Sequence, residues 1–382
     1  QEIADLVVYL TTEKLSTDLD PNDNKKGDQE VIPPHIPVDL PGLHAYAQKS
    51  IAAGDEIEFR VSSSVPYTMR IVELGKNPEN RDEDPVLKTF RVEKPQSQPI
   101  HPGSYVHIAK GLPTNRRLSQ LTMECWIRPF NLNGWQGLIT QHDYPKRSGV
   151  GLFLQNGRIE FLTGSGGEFD PASIHQAPPG LIKAHQWHHV VGTWDGKSKR
   201  IYIDGKIVAE FPFIGVVRPG QTPLRIGAYG SEGLASNFYN GDVAMGVLYG
   251  RALDGEGIKG RYTDRGLTIP KNKNLLACWS FSEERGEIVT DSVSGVHEGR
   301  IINRGTWMIG GPSFDAAKID RHDNKYDPVK DADRGHGLRL AEDELYNARW
   351  KVNHKFQLPE ETKSGVYAGR FDFDLKGKSK RY

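Results

Sequence analysis

The side chains that could do chemistry in this chain are a histidine group, two acidic stretches and one short aromatic–polar run. His185, His188 and His189 form the densest part of a set of 13 histidines. Consecutive residues of a strand project to opposite faces, so His188 and His189 cannot both ligate one metal through that strand. They are expected to be core or edge histidines. Glu168-Phe169-Asp170-Pro171-Ala172-Ser173 comes nearest to the paired carboxylates that glycoside hydrolysis requires on one strand face. Ser173 stands where a second glutamate is needed, Pro171 breaks the strand, and Gly164, Gly166 and Gly167 place the string in a surface loop. Asp315, Asp320, His322, Asp323 and Asp327 offer oxygen ligands suited to calcium. Their spacing matches no EF-hand, so a solvated loop is expected, with a structural calcium as the alternative. His142, Asp143 and Tyr144 follow a strand, with Trp135 nearby. An aromatic platform beside a carboxylate could hold a sugar, which makes these four the candidate ligand-binding residues; a polar hairpin tip is the plainer reading. There is no Gly-x-Ser-x-Gly elbow, Walker loop or dinucleotide fingerprint. No residue is assigned a catalytic or cofactor-binding role.

Composition narrows the classes further. At 382 residues, two or three domains are expected. The 41 glycines suit a turn-rich all-β protein. Lysine plus arginine equals aspartate plus glutamate, 49 each, which argues against nucleic acid or an anionic membrane as partner. The basic tail from Lys376 to Arg381 reads as a solvated end. No apolar run approaches the roughly 18 residues of a membrane span. Cys125 and Cys278 are the only cysteines, each followed by tryptophan in a strand-like run. They are expected to be buried thiols acting as small apolar residues. The first residue is glutamine, with no signal peptide, so the chain is expected to begin after processing or to be cut from something longer.

The elements that must position these side chains are strands. From Trp187 to Ala209 two β-rich runs flank Asp195-Gly196, and a third follows Asp204-Gly205, a dipeptide that tolerates positive φ and reverses the chain. Leu121, Met123, Cys125 and Ile127 alternate with Thr122, Glu124, Trp126 and Arg128. About 12 such runs between 101 and 312 predict a two-sheet sandwich. Ile57, Phe59 and Val61 alternate similarly within 43–100, and β pattern returns over 345–375. These two stretches are expected to form one discontinuous immunoglobulin-like sandwich into which the larger one is inserted. Residues 313–344 read as a polar connecting loop and 15–42 as a linker. Ile3, Leu6, Val7 and Leu10 follow i, i+3, i+4, i+7, which predicts a helix over 1–14.

The block from Trp187 to Ala209 resembles laminin-G-like, concanavalin A-like jelly rolls. So do Leu121 to Pro129, Leu224 to Ala228, Phe238 to Val243 and Gly250 to Leu253. Where that family usually carries an acidic residue, this chain has Ala244, Met245 and Gly246. The order of several further segments resembles the N-terminal half of the large subunit in the N,N-dimethylformamidase family. These are Ser50 to Val61, Leu276 to Phe281 with Asp291 to Arg300, and Ala348-Arg349-Trp350 running on to Ala368. In that family an α/β catalytic half follows, with a mononuclear iron held by tyrosine, histidine and glutamate. The resemblance places that iron outside this chain and hands none of its residues a ligand role. Glu2 to Leu10 resembles the last helix of c-type cytochromes, which implies an upstream haem domain and a periplasmic or secreted protein; without it the protein would be cytoplasmic.

The expectation is a non-catalytic accessory or assembly region of a metal-dependent amidohydrolase. Its partners would be the catalytic domain or identical subunits. The alternative is a carbohydrate-binding laminin-G-like module with a glycan partner.

Overall fold

The computed structural model describes residues 6–10, 32–75, 81–114, 117–143, 146, 148–165, 174–230, 233–319 and 331–381. The chain divides into two compact units.

The larger unit comprises residues 32–36 and 102–347. It contains two eight-stranded antiparallel sheets. One runs in the order Ile174–Gln176, Arg158–Ser165, Ser148–Gln155, Trp135–Asp143, Leu224–Ile226, Tyr105–Ile108, Gly299–Ile302 and Ile288–Val289. The other runs Lys206–Pro212, Ser198–Ile203, His188–Trp194, Leu121–Pro129, Gly241–Tyr249, His336–Leu340 and Thr306–Ile309, with Leu275–Trp279 paired to Gly241–Tyr249. Alternation along Leu121–Pro129 sorts the faces as the sequence predicts. Leu121, Met123, Cys125 and Ile127 join Val106, Ile108, Leu152 and Ile226 in one core cluster. Each such side chain contributes roughly 1.5–3 kcal/mol by leaving water. Trp126 belongs to a second cluster on the opposite face with Val191, Val247 and Ile258. Asp204 (φ 51°) and Gly205 (φ 73°) form the tight reversal, with Ile203 opposite Lys206.

The helix Gly255–Asp264 lies on this second face through buried Ile258. Asp254 caps it by accepting from the Gly257 amide, and Arg265 ends it in the left-handed region. It is the one α-helix among the described residues, and no helix is long and apolar enough to cross a membrane.

The smaller unit comprises 37–101, 348–381 and the strand Leu6–Leu10. A six-stranded sheet runs Ser50–Ile51, Leu6–Leu10, Gly365–Leu375, Tyr67–Glu73 and Val86–Val92, with Lys378–Arg381 beside Gly365–Leu375. A three-stranded sheet runs Leu43–Ala47, Glu56–Ser63 and His354–Gln357. Ile57, Phe59 and Val61 from the smaller sheet share a core with Met69, Ile71, Phe371 and Phe373 from the larger.

Three expectations are corrected. Residues 6–10 are strand rather than helix, antiparallel to 365–369; residues 1–5 and 11–14 lie outside the described residues. A short apolar run with Val7, Val8 and Tyr9 satisfies either period, and the ladder on Gly365–Leu375 decides the matter. The cytochrome resemblance, which rested on a helix, loses its footing. Second, residues 32–36 are not free linker. Ile36 N–H donates to Ala235 O, Ala235 N–H donates to Pro34 O, and His35 is buried with Nε2 2.7 Å from Pro102 O. Third, the expected polar loop 313–344 contains the strand His336–Leu340, which pairs with both Gly241–Tyr249 and Thr306–Ile309. Its apolar Leu338 and Leu340 are too few for a sequence pattern, but both reach the core.

Candidate functional site

Trp135, His142 and Asp143 lie on one strand, Trp135–Asp143. Simple alternation would put Trp135 and His142, seven apart, on opposite faces. A bulge prevents this. Gly137 pairs with Phe153 and Ile139 with Leu152, so Leu138 is an extra residue that shifts the parity. Trp135, Gly137, Thr140 and His142 therefore share the face turned away from the core. Tyr229 joins the ends, its ring 4.6 Å from Trp135 and 6.0 Å from His142. Phe153 packs 5.1 Å from Trp135 and 5.2 Å from Tyr229. The segment carrying Tyr229 is held down by Thr140 Oγ1 donating to Ala228 O at 2.7 Å. Glycine at 137 permits this approach, because a Cβ there would lie 2.4 Å from the Ala228 carbonyl. Burial, with the Lys199 charge, lowers His142 to about 4, so its ring is neutral near pH 7.

Asp143 follows His142 directly and takes the other face, where Lys146 Nζ lies 3.6 Å from Oδ2. The structure thus brings Trp135 and His142 together and separates Asp143 from them. Tyr144 lies outside the described residues. A sugar platform of four cooperating side chains does not form from the described three.

Sequence reasoning missed the rest of this face. Pairing registers place Thr140 beside Arg225, Arg225 beside His107, and His107 beside Arg300 in one row across four strands. Arg225 is 1% exposed and donates from Nη2 to Gly233 O. Burial, and then the charges of Arg225 and Arg300, lower His107 to about 4. Burial raises the Tyr105 phenol to about 12. Alternation within Leu224–Ile226 was the available signal, since it puts Arg225 opposite two core residues.

The remaining candidates among the described residues are engaged by neighbouring side chains. His188 Nδ1 sits 2.9 Å from Asp204 Oδ2, while His189 faces the other way, 3.2 Å from Glu124 Oε1. Glu124 is fully buried and accepts from Arg261 Nε and Tyr249 Oη, both at 3.0 Å. Burial pushes its carboxyl up, but His189, Arg261 and Tyr249 together hold it below the ordinary range. Asp242, equally buried, is closed by Arg128 at 2.6 Å and Arg339 at 2.8 Å. His185 adopts φ 62° and stacks on Phe130. Asp315 and Asp333 flank Lys318, whereas Asp320, His322, Asp323 and Asp327 lie outside the described residues. So do Glu168 and Asp170. Cys125 and Cys278 are buried free thiols, raised by burial, Cys278 to about 12. Among the described residues no three His, Cys, Asp or Glu side chains are grouped to hold a metal ion.

Residues 100–259 match the family model of the concanavalin A-like lectin/glucanases superfamily. The N,N-dimethylformamidase beta subunit of an Alcaligenes species is 23% identical over 368 residues, covering 85% of this chain and 46% of that protein. The beta subunit of Paracoccus aminophilus is 26% identical over 267 residues, 62% of this chain and 33% of that protein. The chain therefore spans less than half the length of these curated relatives. Among solved structures, a heptameric SAP-like pentraxin from Limulus polyphemus is 14% identical, covering 61% of this chain and 93% of its own, with a TM-score of 0.35. This chain thus carries a laminin-G-like, concanavalin A-like β-sandwich domain within a sequence similar over most of its length to N,N-dimethylformamidase beta subunits.

Proposed function

We propose that this chain is a non-catalytic accessory region of a dimethylformamidase-like, metal-dependent amidohydrolase, working through protein–protein packing. The observation that carries this reading is the similarity along 85% of the chain to less than half of a named beta subunit. Metal-assisted amide hydrolysis would then reside in the part of such a subunit that this sequence does not span. The fate of the buried polar groups supports it. Glu124 and Asp242 are each closed by arginine, and burial raises both thiols, which leaves none of these groups poised as a base or nucleophile.

The test is to purify the 382-residue chain and incubate it with N,N-dimethylformamide and Fe(II), following dimethylamine release. No release is expected, together with self-association or binding to a dimethylformamidase catalytic half in sedimentation velocity. Turnover by this chain alone would overturn the reading.

A further inference from the structure

Arg225 is more deeply buried than the arginines that reach buried carboxylates, and it differs from them in its partners. Arg128 and Arg261 in the same unit reach the carboxylates of Asp242 and Glu124, and Arg370 in the smaller unit reaches Asp84. Among the described residues Arg225 meets no carboxylate. Its Nη2 meets one backbone carbonyl, its Nε has no acceptor, and the groups acting on its charge are the Tyr105 and Tyr229 phenols. Beside it, His107 Nδ1 is also buried without a hydrogen-bond partner, and the Tyr105 hydroxyl has only the Arg225 guanidinium to meet. On the far side of His107 stands a second cation, Arg300, with its Cα about 10 Å from that of Arg225 at the usual strand spacing. Burying a guanidinium with no counter-charge is strongly unfavourable.

We propose that this row is a carboxylate-binding site, with Arg225, Tyr105 and His107 as donors and Arg300 as flanking charge. A carboxylate supplies what Arg225 lacks, namely a negative charge and planar acceptors that match a guanidinium edge. His107 and Arg300 are only half-buried, so the ligand enters from their side, while Arg225 and Tyr105 form the closed end. Neutral His107 adds a donor without adding a third positive charge. The proposal does not depend on the accessory role above.

The experiment uses the whole chain at matched ionic strength, with sodium acetate, sodium glucuronate, glucose, inorganic phosphate and a chloride control. Thermal melting and the ring resonances of His107 are both followed. Acetate and glucuronate are expected to raise the melting temperature saturably and to shift His107, and glucose to do neither. Tighter binding of glucuronate than acetate identifies the source as an acidic sugar, and equal binding a simple carboxylate. Arg225→Met should abolish the response while melting in chloride no lower than the wild type, since it removes an uncompensated charge. Arg225→Lys should bind at least tenfold more weakly. If Arg225→Met fails to fold, the wild-type titration and Arg225→Lys still decide. No carboxylate response, a response retained in Arg225→Met, or phosphate as effective as carboxylate would overturn the proposal.

Discussion

Replacing Arg261 with methionine tests the account of the buried network most directly. Glu124 is inaccessible, and its oxygens are taken by Arg261 Nε and Tyr249 Oη, with His189 Nε2 at 3.2 Å. Methionine fills much of the arginine volume but leaves the carboxylate without its permanent counter-charge. Removing one partner of a buried pair costs about 3–5 kcal/mol, and the 11% exposure of the Arg261 side chain favours the lower end. For a unit of this size, about 3 kcal/mol corresponds to a fall of roughly 6–12 °C in melting temperature. The pH dependence gives the sharper test. The folded pKa of Glu124 lies below its ordinary value of 4.5, so its contribution is present above that value and lost as pH falls through the folded pKa. In Arg261→Met burial acts with less opposition and Glu124 takes up a proton more readily. The stability gap should therefore be widest near pH 7.5 and shrink to below about 1 kcal/mol near pH 4.5. Adding Glu124→Gln should recover most of the loss, because the buried carboxylate is then gone. Urea denaturation followed by tryptophan fluorescence at both pH values provides the measurement. A gap under about 1 kcal/mol at pH 7.5, or an equal gap at both, would refute the reasoning.

Other perturbations follow from the same geometry. Asp291→Ala removes a buried acceptor serving the Cys278 and Val293 amides and the Ser294 hydroxyl, and should cost about 2–3 kcal/mol in denaturant. Burial raises this carboxyl and its hydrogen bonds lower it further, to a net value below the usual 3.8, so its stabilisation should fade as the wild type is taken below that pH. Gly137→Val drives a side chain into the Ala228 backbone and should lower stability by at least about 2 kcal/mol, read by thermal melting with loss of Tyr229 ring contacts in NMR. Cys125 and Cys278 should resist a thiol reagent at pH 8 in the folded protein and react fully in denaturant; fast labelling of either in the native state would contradict their burial.

How much of this was legible beforehand varies by element. Leu121–Pro129 and His188–Trp194 declared their two faces through strict alternation, and Asp204-Gly205 declared its turn. His188 and His189 were correctly separated by the same parity. Leu6–Leu10 was misread because four apolar positions fit a helix as well as a strand, and the choice depends on a partner more than 350 residues away. Trp135 and His142 could be named as candidates, but their shared face could not be derived, because one inserted residue inverts the parity and no residue type marks it.

The amino-acid sequence by itself determined the all-β class, the strand periods and the burial of Cys125, because those depend on neighbours two residues apart. Only the tertiary structure decided which charges meet. Glu124 finds Arg261 at a separation of 137 residues, and Asp242 finds Arg128 at 114. Among the described residues Arg225 finds no carboxylate. Periodicity assigns each side chain to a face, but strand order decides what stands opposite it, and that order is fixed by the packing of the whole core.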